Sequence, residues 1–230
     1  MKLPEVESMI PVFTKRVMEL LENTEDQAIT LLRYFNWNVQ KLEEQWFSMG
    51  DTKMKDCGLE YDEGLVKKYP DINQTQKENN DNTCPVMYVE FEKGDPDYDS
   101  DQLCCGHQFS KISWRMYLKD KIKSNGPQCV FTRCAQLRCN VVVPHSFFLK
   151  YLENKQDDDG INYYKKYINW HCKQFTNLNS SMKWCPRQTC DYVVQLSPFC
   201  LINVITCHCG NSFCLICEKE DHQPATCNQV

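Results

Sequence analysis

Nowhere in the 230 residues is there an apolar run approaching the ~20 needed to cross a bilayer, and the N-terminal MKLPEVESMI lacks the hydrophobic stretch of a secretory signal. Neither a membrane span nor export is expected, and a cytoplasmic or nuclear location follows. Positive charge is also in short supply: 26 Lys and Arg stand against 31 Asp and Glu, giving a net charge of -5, with acidic clusters at GDPDYDSD and QDDDG. A nucleic-acid groove needs a basic stripe to displace counterions from phosphates, so nucleic acid is not an expected partner. What the chain has in quantity is cysteine, 16 of them. In a reducing compartment thiols stay reduced, and cysteines at short spacings then read as ligands for zinc rather than as disulfides. The 42% hydrophobic content suffices for ordinary packed cores, in one large domain or two to three small ones.

Residues 1–50 read as a small three-helix bundle. Phe13, Val17, Leu20 and Leu21 share one apolar face, with Pro11 expected in the first turn. Thr24 and Gln27 form a capping box ahead of Ile29, Leu32 and Phe35, and after NWN the residues Val39, Leu42 and Trp46 make a third face. Residues 51–83 read as a linker, since DINQTQKENNDNT has a single apolar residue and cannot bury anything. Residues 84–145 are a cysteine-rich module of irregular loops around one helix near Trp114–Ile122, and 146–183 are an aromatic-rich helical connector. Residues 184–228 form the last module, in which DYVVQL and NVITC are expected to pair as a hairpin. The fold class is therefore α+β, built of small zinc-stabilised modules.

From Cys185 onward the cysteines are ordered in fours. Cys185, Cys190, Cys207 and Cys209 make one quartet of thiolates; Cys214, Cys217, His222 and Cys227 make a second, of three thiolates and an imidazole. Zinc favours such tetrahedral shells, and a shell closed by four protein ligands leaves no position for water, so both are structural sites. About 45 residues have too little apolar area to fold alone, and metal binding, worth ~10 to 16 kcal/mol in zinc-finger peptides, must supply most of their folding energy.

This eight-ligand order resembles the in-between-RING (IBR) domain of the RING-between-RING ubiquitin ligases. MKWCPRQTC resembles the entry to that domain in the Ariadne branch, with Tyr167, Phe175 and Asn179 at matching offsets upstream. LLRYFNWNVQKLEEQWF resembles the ubiquitin-associated (UBA)-like helices at the start of Ariadne proteins. The resemblance implies a first RING ahead of the IBR domain, in which eight ligands interleave to hold two zincs. Its second site maps onto Cys105, His107, Cys129 and Cys134, with the four-residue gap of CVFTRC. Its first site maps onto Cys84, Met87, Ser110 and Ser113, which offer one thiolate instead of four, so this site is expected to bind no metal. About three zinc ions per chain are thus expected.

In the family the first RING receives a ubiquitin-conjugating enzyme, which the resemblance places against Val86, Trp114 and Val130, the last standing where proline is usual. The N-terminal helices of the family are tied to ubiquitin or ubiquitin-like modifiers, which makes Tyr34 and Asn36 contact candidates. Family members carry ubiquitin on a cysteine of a second RING, and no position here matches it. Cys57, Cys139, Cys172 and Cys200 lie outside every quartet and read as small buried hydrophobes; His145, His171 and His208 read as surface or packing residues. The expected function is a non-catalytic adaptor or competitor in the ubiquitin pathway. The alternatives are a fragment of an active ligase, or a zinc-stabilised interaction protein outside ubiquitination.

Overall fold

Helix α1 (Leu3–Leu21) turns Val6, Ile10, Thr14 and Val17 inward at intervals of three and four residues. In the computed structural model, residues 1–48, 52–62, 64, 82–153, 157, 159–179, 182–187, 190, 192–196 and 203–230 are described. The helix starts well before Pro11, and the proline of its first turn is Pro4. Pro11 lies inside the helix on its exposed side, where water can satisfy the carbonyl that its missing N–H leaves unbonded. Helix α2 (Glu25–Tyr34) opens on the expected box: the Gln27 N–H donates to Thr24 Oγ1, and the Thr24 N–H donates to Gln27 Oε1 at 2.9 Å. Asn36 and Trp37 then take left-handed backbone (φ 55° and 58°), which turns the chain sharply enough for Asn38 to cap α3 (Val39–Trp46). A short helix α4 (Lys53–Asp56) follows; most of the segment read as a linker lies outside the described residues.

The central module starts with a two-stranded antiparallel sheet, β1 (Ser100–Gln102) with β2 (Gln108–Ser110). Helix α5 (Lys111–Ser124), capped by the Ser110 hydroxyl, runs directly out of β2. A 3-10 turn (Gly126–Phe131), helix α6 (His145–Tyr151) and helix α7 (Tyr163–Leu178) complete it. Phe109, Trp114, Leu118, Ile122, Val130, Phe148 and Tyr167 form its core. Three ion pairs, Asp97 with Arg115, Asp99 with Lys111 and Asp101 with Lys150, strap the β1 segment to α5 and α6.

Two further hairpins close the chain. β3 (Met182–Trp184) pairs with β4 (Val193–Gln195), and β5 (Val204–Thr206) pairs with β6 (Ser212–Cys214). The expected pairing of DYVVQL with NVITC is thus replaced by two separate hairpins, each folded back around its own ligands; SPFCLI between them lies outside the described residues. The N-terminal bundle does not stand apart: Val6, Leu31, Phe35 and Trp37 share one core with Cys172 and Phe175 of α7 and with Met182 and Val193 of the first C-terminal hairpin. Trp37 packs edge-on against Phe175 at 4.7 Å and its Nε1–H donates to Gln174 Oε1 at 3.0 Å.

Candidate metal centres

Three groups of four ligands converge among the described residues: Cys105, His107, Cys134 and Cys139; Cys185, Cys190, Cys207 and Cys209; and Cys214, Cys217, His222 and Cys227. The donor spacing itself tests what fits. With Zn–S near ~2.3 Å, two thiolates of a tetrahedron lie about 3.8 Å apart, and a thiolate and an imidazole nitrogen about 3.6 Å. Cys185 and Cys209 are 3.7 Å apart, Cys190 and Cys207 3.8 Å, and Cys214 and Cys227 3.6 Å. Cys134 Sγ lies 3.7 Å from His107 Nδ1, and Cys227 Sγ 3.6 Å from His222 Nε2. The sulfur-rich donor sets select zinc over harder divalent ions.

Local backbone aims these ligands. Gly106 takes φ 75° between Cys105 and His107, and Gly210 takes φ 84° just after Cys209, turning each short loop onto its ion site. The His222 Nδ1–H donates to the Ala225 carbonyl at 2.8 Å, which leaves Nε2 facing the thiols. The backbone N–H groups of Cys217 and Ile216 hold the Cys214 thiol down at about 6, and the N–H of Asn211 holds Cys209 down at about 7. These donors favour the thiolate that a metal needs.

The first of the three groups corrects the sequence reading. Cys129 is not among its ligands; its place is taken by Cys139, which the spacing had left unassigned. Cys134 is flanked at the same distance on both sides, by CVFTRC and by CAQLRC. The first gap is spent on the 3-10 turn, which carries Cys129 into the core, fully buried and with its thiol pushed up to about 12 by burial. The second gap is a tight loop that folds Cys139 back on Cys134, with Arg138 in left-handed backbone at φ 63°. Val130 moves with Cys129: it is fully buried, so it offers a partner no surface.

The remaining quartet takes a different form. Cys84 is fully buried, and its Sγ accepts from the Ser110 N–H at 3.3 Å and the Ser110 hydroxyl at 3.4 Å and shares a hydrogen bond with the Ser113 hydroxyl at 3.2 Å. Burial pushes the thiol up, but these bonds and the Met87 N–H outweigh it and hold it down at about 7. The Met87 side chain points elsewhere, into a mostly apolar groove of about 300 Å³ lined by Val86, Met87, Met116, Tyr117, Asp120 and Ala135 above a floor of Phe109 and Trp114. Val86 is 53% exposed there, whereas Trp114 is fully buried and donates its Nε1–H to the Asp101 carbonyl, so it is core rather than surface. Ala135 escaped the sequence reading because the shifted ligand register hid the loop that carries it, while Met116 and Tyr117 were read only as part of the helix that is α5.

Tyr34 and Asn36 are exposed on the N-terminal bundle, and Asn36 lines a second groove with Val12, Arg16, Lys41 and Leu178. Of the histidines outside the clusters, His208 packs at a tilt against Tyr192, while His145 and His171 join a buried network around Arg33 that gave no sequence signal beyond a charge in an apolar run. No helix of the described residues is long and apolar enough to cross a membrane.

Comparison with known proteins agrees with this geometry. A family profile described as the IBR domain, a half RING-finger domain, matches residues 165–227, and one described as the UBA-like domain of the E3 ubiquitin-protein ligase ARIH1 matches residues 14–48. The chain is 28% identical over 216 residues to the probable E3 ubiquitin-protein ligase ARI10 of Arabidopsis thaliana, covering 94% of this chain and 38% of that protein. It is 27% identical over 223 residues to the probable E3 ubiquitin-protein ligase rbrA of Dictyostelium discoideum, with 94% and 39% covered. It is 26% identical over 220 residues to the E3 ubiquitin-protein ligase dbl4 of Schizosaccharomyces pombe, also with 94% and 39% covered. The chain therefore spans under two fifths of the length of these curated relatives. With a segment similar to the Ariadne-type UBA-like domain at one end, one matching the zinc-binding IBR domain at the other and relatives of this kind aligned along nearly all of it, the chain is similar to the Ariadne-like branch of the RING-between-RING family.

Proposed function

We propose that this chain docks a ubiquitin-conjugating enzyme on its RING-like module and takes no ubiquitin onto its own cysteines, so that it works as a non-catalytic adaptor or competitor in ubiquitin conjugation. The observation that carries the docking half is the groove between the Cys84 cluster and the Cys105–Cys139 metal centre. Its walls, Val86, Tyr117 and Ala135, come from three separate segments and present apolar surface to solvent. An exposed apolar groove on a rigid metal-held frame suits a protruding apolar residue of a partner.

The non-catalytic half is supported by the cysteines that lie outside the metal clusters. A nucleophilic thiol needs both access and a depressed pKa. Burial pushes Cys57, Cys129 and Cys172 up to about 12. Cys84 is held lower but is fully enclosed, and the exposed Cys104 is committed as a donor to the Leu59 carbonyl at 3.3 Å. Cys200 lies outside the described residues. A second reading, that the chain is the docking part of an active ligase, is favoured by the names and greater length of its relatives. The same docking logic assigns the groove beside Asn36 to a ubiquitin-like modifier.

Titration calorimetry of the zinc-loaded chain with a panel of ubiquitin-conjugating enzymes tests the docking. At least one should bind, and Val86→Glu, which places a charge in the apolar groove, should weaken it by about tenfold or more without loss of zinc. Equal affinity for wild type and Val86→Glu would refute the groove. A reducible ubiquitin adduct on this chain, formed from a charged conjugating enzyme, would refute the non-catalytic half.

A further inference from the structure

Arg33, at the end of α2, is 2% exposed. Its guanidinium leaves the N-terminal bundle and enters the RING-like core. Nη1 donates to the Val130 carbonyl at 3.0 Å; Nη2 donates to the Tyr167 hydroxyl at 3.2 Å and to His171 Nδ1 at 3.0 Å. The Tyr167 hydroxyl in turn donates to His145 Nδ1 at 2.8 Å. None of these partners is a carboxylate. Asp26, an acid on the same helix, is bonded instead to the Ser146 N–H and hydroxyl at the start of α6.

Burying a cation among neutral groups is costly, and an apolar side chain of the same length would fill the space without that cost. Stability therefore does not explain the residue. What an apolar side chain cannot do is hold the Val130 carbonyl. Val130 lies in the 3-10 turn, and the residues that follow it have other duties. The Arg133 carbonyl accepts the Tyr117 hydroxyl at 2.9 Å, Cys134 is a metal ligand, and Ala135 is a wall of the apolar groove. The guanidinium thus fixes one end of a segment whose other end shapes the groove and supplies a ligand.

We propose that Arg33 is a positioning residue: from the N-terminal bundle it holds the 126–135 segment in place, so that the groove is preformed and Cys134 is preset for its metal. A preformed groove binds more tightly because less is ordered on association. The consequence for the conjugating enzyme rests on the proposed function above; the effect on the segment itself does not.

The test uses the full zinc-loaded chain with Arg33→Met and Arg33→Lys. Amide exchange is read across 126–135, zinc transfer to a chromogenic chelator is timed, and affinity is measured for a conjugating enzyme that binds the wild type. Arg33→Met, which relieves the buried cation but leaves the Val130 carbonyl unpaired, should melt within a few degrees of wild type, yet exchange in 126–135 and release of one of the zinc ions should each quicken about tenfold, and affinity should fall about tenfold. Arg33→Lys, which keeps the charge and a donor, should recover part of each effect. Should Arg33→Met not fold, Arg33→Lys carries the same readouts, with smaller changes expected.

Unchanged exchange and zinc release in a folded variant would overturn the proposal. So would exchange that rises evenly along the whole chain, which marks a merely structural role. If exchange in 126–135 quickens while no conjugating enzyme binds even the wild type, the positioning role stands and the docking reading fails.

Discussion

His145 and His171 lie with ring centroids 4.7 Å apart beside the Arg33 guanidinium. Burial, with Arg33 adding to it, holds His145 down at about 4 and His171 well below its ordinary value. An unfolded histidine takes up its proton near ~6.5, so between that pH and about 4 the unfolded chain binds more protons than the folded one. The stability due to a neutral His145 is complete above ~6.5 and is lost as pH falls toward 4. Urea denaturation should show a loss on the order of 2 kcal/mol between pH 7 and pH 4.5 beyond that seen in His145→Gln, in which the group is absent. Identical slopes for the two proteins would contradict this. Ser110 makes a second prediction at this scale. Its hydroxyl caps α5 and bonds to Cys84, so Ser110→Ala should cost about 1–2 kcal/mol by chemical denaturation with no change in zinc content.

At the scale of elements, the C-terminal hairpins are too short to hold themselves. β3 and β4 are three residues each, and Cys185 follows β3 directly while Cys190 stands just before β4. Cys185→Ala should lose one zinc by native mass spectrometry, loosen that hairpin and lower the melting temperature by several degrees, because Met182 and Val193 feed the core of the N-terminal bundle. The helices were legible because their apolar period repeats over eight residues or more and their caps are local, as at Thr24 and Asn38. The strands were not, since ligand loops rather than alternation decide which three-residue stretches meet. The quartets from Cys185 on were legible because each cysteine has one sensible partner set. Cys134, with a cysteine five residues to either side, has two, and only the buried 3-10 turn distinguishes them.

At the scale of the whole molecule, three ligand clusters and three apolar cores among the described residues divide the load. The N-terminal bundle shares its core with α7 and the first C-terminal hairpin, and Arg33 ties it to the RING-like module. The lobe around Cys84 is held differently, by thiol–hydroxyl bonds and the Asp97, Asp99 and Asp101 ion pairs. That division of labour is read most directly by counting zinc with native mass spectrometry on the wild type, Cys129→Ala and Cys139→Ala. Three ions are expected in the wild type, three in Cys129→Ala and two in Cys139→Ala. Four ions in the wild type, or an ion lost from Cys129→Ala and kept by Cys139→Ala, would contradict that division.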